Sequence, residues 1–117
     1  MRNSKLLIVA MSQRCIDLIL QSHPGEHNLP EVLHPPHLLW MCDQITKNAE
    51  TWSELRLHRW IGYVQSGMLA NRIIDYEEMK DMFNEAKNAY GANEDDLDLL
   101  DHLDPHNTFR LDIGGES

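Results

Sequence analysis

Up to Tyr90 the apolar residues recur at helical spacing, in four runs separated by turn-forming residues. In the first, Leu7, Val9, Met11, Cys15, Leu18 and Ile19 make one stripe, with Gln13, Arg14 and Asp17 on the other side. This predicts a helix over 4–21, although the short apolar run from Lys5 to Met11 also suits a buried strand. Pro24, Gly25, Pro30, Pro35 and Pro36 exclude a continuous helix over 22–36. Tandem prolines favour a first helical turn, so a second helix is expected from Pro36 to about Asn48. Its apolar positions are Leu38, Leu39, Met41, Cys42 and Ile45.

Thr51 with Glu54 has the spacing of a capping box and is expected to open a third helix that runs to about Ala70. Leu57, Trp60, Ile61, Val64 and Met68 fall within an arc of about 100° and form its core face. Glycine costs a helix about 1 kcal/mol relative to alanine. Gly62 is explained if another backbone comes close, and Gly67 by tolerance near the helix end. Asp75 with Glu78 makes a second capping box, followed by Met79, Met82, Phe83, Ala86 and Tyr90 at i, i+3, i+4, i+7 and i+11. Gly91 is then a helix stop. The expected architecture is all-α, a small bundle of about four helices with a short acidic C-terminal tail. The division falls between a helical domain, 1–91, and a leucine-containing tail, 92–117.

At 117 residues the chain suits one domain, and 42% hydrophobic with 25% charged residues excludes wholesale disorder. The net charge is −9 and unevenly placed. Residues 1–91 hold 11 acids against 9 Lys/Arg, whereas 92–117 hold 8 acids against Arg110 alone. Phosphate backbones repel such a chain, so no direct nucleic-acid binding is expected; a protein with a basic surface is better matched. No apolar run approaches the roughly 20 residues of a membrane span, and no cleavable leader pattern opens the chain. Cys15 and Cys42 form no close-spaced motif, which suits free thiols in a reducing cytoplasm.

Three groups of residues could carry chemistry. His23, His27, His34 and His37 cluster near Glu26, Glu31 and Cys42, and imidazoles with a thiolate suit zinc. Their spacing matches no standard site, and prolines remove the helix that would aim an i, i+4 pair, so no metal or other cofactor is expected. On the third helix, at about 100° per residue, Arg56, Arg59 and Tyr63 lie within about 40° of Trp52, with Trp60 toward the core. Guanidiniums among aromatic rings can hold an anionic small molecule such as a nucleotide, or form a protein-binding hot spot. They can equally cover the margin of the core with their stems. Within the tail, Leu97 and Leu100 beside Asp96 and Asp101 suit docking of leucines in a groove with a basic rim, or a leucine turn folded on the bundle. Hydrolytic chemistry finds little support. Cys42 and His37 stand at i, i+5 on different faces, and Cys15 has only Arg14 nearby.

Leu29-Pro30-Glu31-Val32-Leu33-His34-Pro35-Pro36-His37-Leu38-Leu39-Trp40-Met41, followed by Arg59-Trp60-Ile61-Gly62-Tyr63-Val64-Gln65, resembles small uncharacterised proteins encoded by tailed bacteriophages. The resemblance covers about residues 29–90 and not the acidic tail. It brings no catalytic residue with it. It implies a context in which a small non-enzymatic protein binds and inhibits or sequesters a host factor, in defence or takeover. The expectation is therefore an acidic helical binding protein in the host cytoplasm, directed at a host protein with a basic surface. Alternatives are a sponge for a phosphorylated or nucleotide signalling molecule and a metal-binding histidine loop, and a homo-oligomer is a further option.

Overall fold

The structure, a computed structural model, describes residues 2–23 and 28–90, with Tyr90 represented by its backbone alone. Four helices account for most of them: α1 (Asn3–Gln21), α2 (Pro35–Asn48), α3 (Glu54–Ala70) and α4 (Tyr76–Tyr90). A single 3₁₀ turn at Glu31–Leu33 precedes α2. Among the described residues there is no strand, and the fold is a small all-α bundle. Helix α1 is its hub, packing on α2, α3 and α4, while α2 also packs on α3.

The core is built from one face of each helix. Leu7, Ile8, Met11 and Cys15 of α1, Leu38, Cys42 and Ile45 of α2, Leu57, Ile61, Val64 and Met68 of α3, and Met79 of α4 are wholly buried. Met82, Phe83 and Ala86 complete the α4 face. One register detail differs from expectation. Ile8 is buried and Val9 is not, because Ser4, Ile8, Ser12 and Cys15 share the inward face. Ser12 meets α2 directly, its hydroxyl donating to the Cys42 carbonyl at 3.1 Å.

Helix boundaries follow local chemistry. Pro35 and Pro36 occupy the first turn of α2, where absent amide protons leave nothing unsatisfied. The Asp75–Glu78 capping box forms as expected: the Glu78 amide donates to Asp75 Oδ1 at 2.8 Å, and the Asp75 amide to Glu78 Oε1 at 3.0 Å. The expected Thr51–Glu54 box does not form. Ser53 caps α3 by accepting from the Arg56 amide at 3.1 Å. Thr51 instead turns back on α2, donating its amide (3.1 Å) and hydroxyl (3.3 Å) to the Asn48 carbonyl. Glu54 pairs with Arg2 at 3.0 Å, away from any capping role. At its other end α3 closes with Arg72 in the left-handed region (φ 60°), the Ile73 amide donating to Met68 O and the Arg72 amide to Leu69 O. This is a Schellman closure in which arginine stands where glycine is favoured.

The two α3 glycines exchange the roles their sequence suggested. Nothing lies within 4 Å of a side-chain carbon built at Gly62, so no backbone approaches there. At Gly67 such a carbon would stand 2.6 Å from Leu38 Cδ2 and 2.9 Å from Cδ1, and Leu38 is wholly buried. Gly67 is thus the place where α2 seats against α3. Gly62→Ala is expected to raise the unfolding free energy by about 0.5–1 kcal/mol through helix propensity alone. Gly67→Ala is expected to lower it by about 1–2 kcal/mol, the overpacking around Leu38 outweighing the same gain. Urea melts of the two variants, which differ in sign, check the assignment.

Candidate binding surface

The α2–α3 seam carries five aromatic rings in succession on its outer side. Trp52, in the turn after α2, meets Trp60 with ring centroids 4.6 Å apart and planes inclined at 57°. Trp60 meets Trp40 of α2 at 5.8 Å, and Trp40 meets His37 one helical turn earlier at 5.6 Å. His37 then faces the edge of Tyr63 at 6.2 Å. Every separation lies in the range where tilted aromatic pairs attract. The Arg56 guanidinium lies 3.9 Å above Trp52 and 6.0 Å from Trp60, so it closes that end of the ladder as a cation over π faces. Trp52 and Trp60 pack partly against the core, whereas Trp40 is 50% exposed.

A strap holds the other end. Tyr63 donates its hydroxyl to the Val32 carbonyl at 2.9 Å, and Asn71 Nδ2 donates to the Leu33 carbonyl at 2.6 Å. Together they fix the 3₁₀ turn against α3, with Val32 53% exposed at its tip. Between this turn and α2 runs a shallow groove of about 440 Å³ lined by Glu31, Val32, His34, Pro36 and His37. Val32, Pro36, His37, Trp40 and Tyr63 therefore form one apolar strip leading from groove to ladder.

The residues singled out from sequence are brought together in part. Trp52, Arg56, Trp60 and Tyr63 belong to the ladder. Arg59 is exposed on α3 and, among the described residues, engages no ion pair or hydrogen bond. Arg56 is stacked on Trp52, and Trp52 is itself in contact with Trp60. Trp40 and His37 were missed as surface residues. Their i, i+3 spacing outside the apolar face of α2 was the available signal. Asp96, Leu97, Leu100 and Asp101 lie outside the described residues.

The histidines are dispersed. His34 Nε2 donates to the Leu29 carbonyl at 2.8 Å, His37 sits between Trp40 and Tyr63, and His23 is exposed past the end of α1. His27 lies outside the described residues, and among these no three His, Cys, Asp or Glu side chains converge. Both cysteines are free and buried. Burial pushes the Cys15 thiol strongly up, aided by the neighbouring Cys42 and opposed by Arg14. Burial likewise raises Cys42 from its ordinary 9.0 to about 11, with Ser12 as a smaller opposing influence. A second opening, about 630 Å³, lies between the starts of α1 and α3, lined by Arg2, Lys5, Glu50, Ser53 and Glu54. Within it Arg2 pairs with Glu54, and Lys5 Nζ donates to the backbone carbonyl of Glu50.

No helix among the described residues is long and apolar enough to cross a membrane. No protein-family model, curated protein or solved structure matches the chain.

Proposed function

We propose that the chain is a non-enzymatic binding protein that meets a protein target through the α2–α3 aromatic strip. One observation carries the reading. Trp40, half exposed, stands in a ladder of rings between Trp60 and His37, and α3 also carries the exposed Arg59. Trp, Tyr and Arg dominate binding hot spots because each buries a large area at small entropic cost, and rings already held in place lose little further freedom on binding. The thiols support the non-enzymatic part of the reading, since burial holds both in the unreactive protonated form. A phage origin and a host factor as target rest on the resemblance of segments 29–41 and 59–65. In that setting the target is a cytoplasmic host protein, whose basic surface would meet the acidic tail.

Native mass spectrometry of the protein purified from its host tests this. The wild-type chain is expected to carry a stoichiometric protein mass. Arg59→Ala is expected to lose it, while Leu20→Ser, at a position 66% exposed on α1, retains it. An added mass of nucleotide size would favour the sponge reading instead, and a protein mass indifferent to Arg59→Ala would move the target to another surface.

A further inference from the structure

We propose that the bundle holds a copper(I) site in its core, where Cys15 of α1, Cys42 of α2 and Met82 of α4 bind one ion through sulfur. The inference is independent of the aromatic strip and concerns buried groups that take no part in meeting a protein target.

Two of the three sulfurs are already in contact. The Cys15 thiol donates to Met82 Sδ across 3.8 Å. Two sulfurs that share an ion at about 2.3 Å stand about 3.8–4.0 Å apart at tetrahedral to trigonal angles, so this pair closes on a metal with little movement. The thioether is oriented from a second side as well. Gln65, a buried amide, donates Nε2 to the same Sδ at 3.8 Å. Cys42 faces the same stretch of α1. The Ser12 hydroxyl, one turn before Cys15, donates to the Cys42 carbonyl at 3.1 Å, and a charge on the Cys42 thiol is felt at Cys15.

Donor chemistry selects the ion. Thiolate and thioether are soft ligands of the kind that favour copper(I). Zinc takes thiolate, imidazole or carboxylate, almost always four of them, and a thioether is not among its usual donors. Binding replaces both thiol protons, which leave to solvent, and copper keeps its oxidation state. Two thiolates, a neutral thioether and copper(I) then carry one net negative charge. Arg14, whose charge reaches Cys15, offsets it, as a buried ionic group requires. A way in is present. An opening of about 210 Å³ between α1 and α4 reaches Met82, and its walls carry Glu78, Asp81 and Glu85 together with Arg14. Walls with an excess of negative charge draw cations toward the thioether.

Anaerobic competition with the coloured copper(I)–bicinchoninate complex tests the site on the reduced full chain. The wild-type chain is expected to withdraw one equivalent of copper(I) and bleach the complex. X-ray absorption of the bound copper is expected to show a shell of sulfur without nitrogen or oxygen. Met82→Leu preserves side-chain size, while Cys15→Ala and Cys42→Ala each remove one thiol. Substitutions outside the ligand shell cost about 10–100-fold in metal affinity, so each of these three is expected to cost at least about 10-fold. Circular dichroism melts of the metal-free variants check that they fold, and Met82→Leu, the mildest change, decides the matter if a cysteine variant does not. Failure to bleach the complex would overturn the proposal. Unchanged affinity in Met82→Leu would do so too, as would a nitrogen shell, which would assign the copper to histidines.

Discussion

Leu57→Ala is expected to remove about 2–5 kcal/mol of folding stability, the cost of losing a wholly buried side chain and leaving a cavity behind. Leu57 stands in the first inward turn of α3, one turn before Ile61, and both lie in the core that unites α1, α2 and α3. A domain of this size holds about 5–15 kcal/mol in all, so the variant should melt far below the wild type. Arg59, two positions on, points away from that core and is exposed. Arg59→Ala should stay within about 0.5 kcal/mol of wild type. Urea melts followed by helical circular dichroism separate the two outcomes. The contrast also protects the functional test, because loss of a partner in Arg59→Ala then reports a lost contact and not a lost fold. A loss below about 1 kcal/mol for Leu57→Ala would mean that α3 is not seated as described.

What the sequence could reveal, and what it hid, divides along physical lines. Interactions within three or four residues were readable. The inward Met79, Met82, Phe83 and Ala86 of α4 and its Asp75–Glu78 box follow from spacing alone, and both are present. Where two local solutions compete, spacing does not choose. Thr51 and Ser53 are both good caps, and Thr51 was drawn back to the Asn48 carbonyl while Ser53 took the Arg56 amide. Contacts between helices were out of reach. Gly67 is needed because Leu38, 29 positions earlier, sits where its side chain would be, and no local rule shows that.

The aromatic strip shows the same division. Arg56, Arg59 and Tyr63 share an α3 face by periodicity, and that grouping was legible, whereas Trp52 stands in the turn before the helix. The ladder needed Trp40 and His37 from α2, which depend on how the two helices pack. Tyr63 also does more than present a ring. Its hydroxyl ties down Val32 across 31 residues, so the residue shapes the groove as well as lining the strip. A sequence shows which side chains suit a surface; only the fold shows which of them are already spent on holding it together.

The two thiols give the last expectation, an alkaline loss of stability with an assigned source. Folding favours the protonated form of Cys42, whose pKa stands at about 11 against its ordinary 9.0. Between those values the unfolded chain has released the proton and the folded chain still holds it. Unfolding is therefore accompanied by proton release, and stability falls as pH rises. The contribution is fully present below pH 9 and is lost through pH 11. For one thiol the loss between pH 8 and 11 comes to about 2 kcal/mol, at 1.36 kcal/mol per pKa unit. Cys15 is raised by the same cause and its neighbour's charge, so it acts in the same direction. Lysine and tyrosine ionise in this range too, but they do so equally in Cys42→Ala. Urea melts at pH 8 and at pH 11 should thus show the variant losing about 2 kcal/mol less than wild type across the interval. Equal losses would mean that water reaches Cys42 in the folded chain, and the sealed contact between α1 and α2 around Ser12 would have to be abandoned.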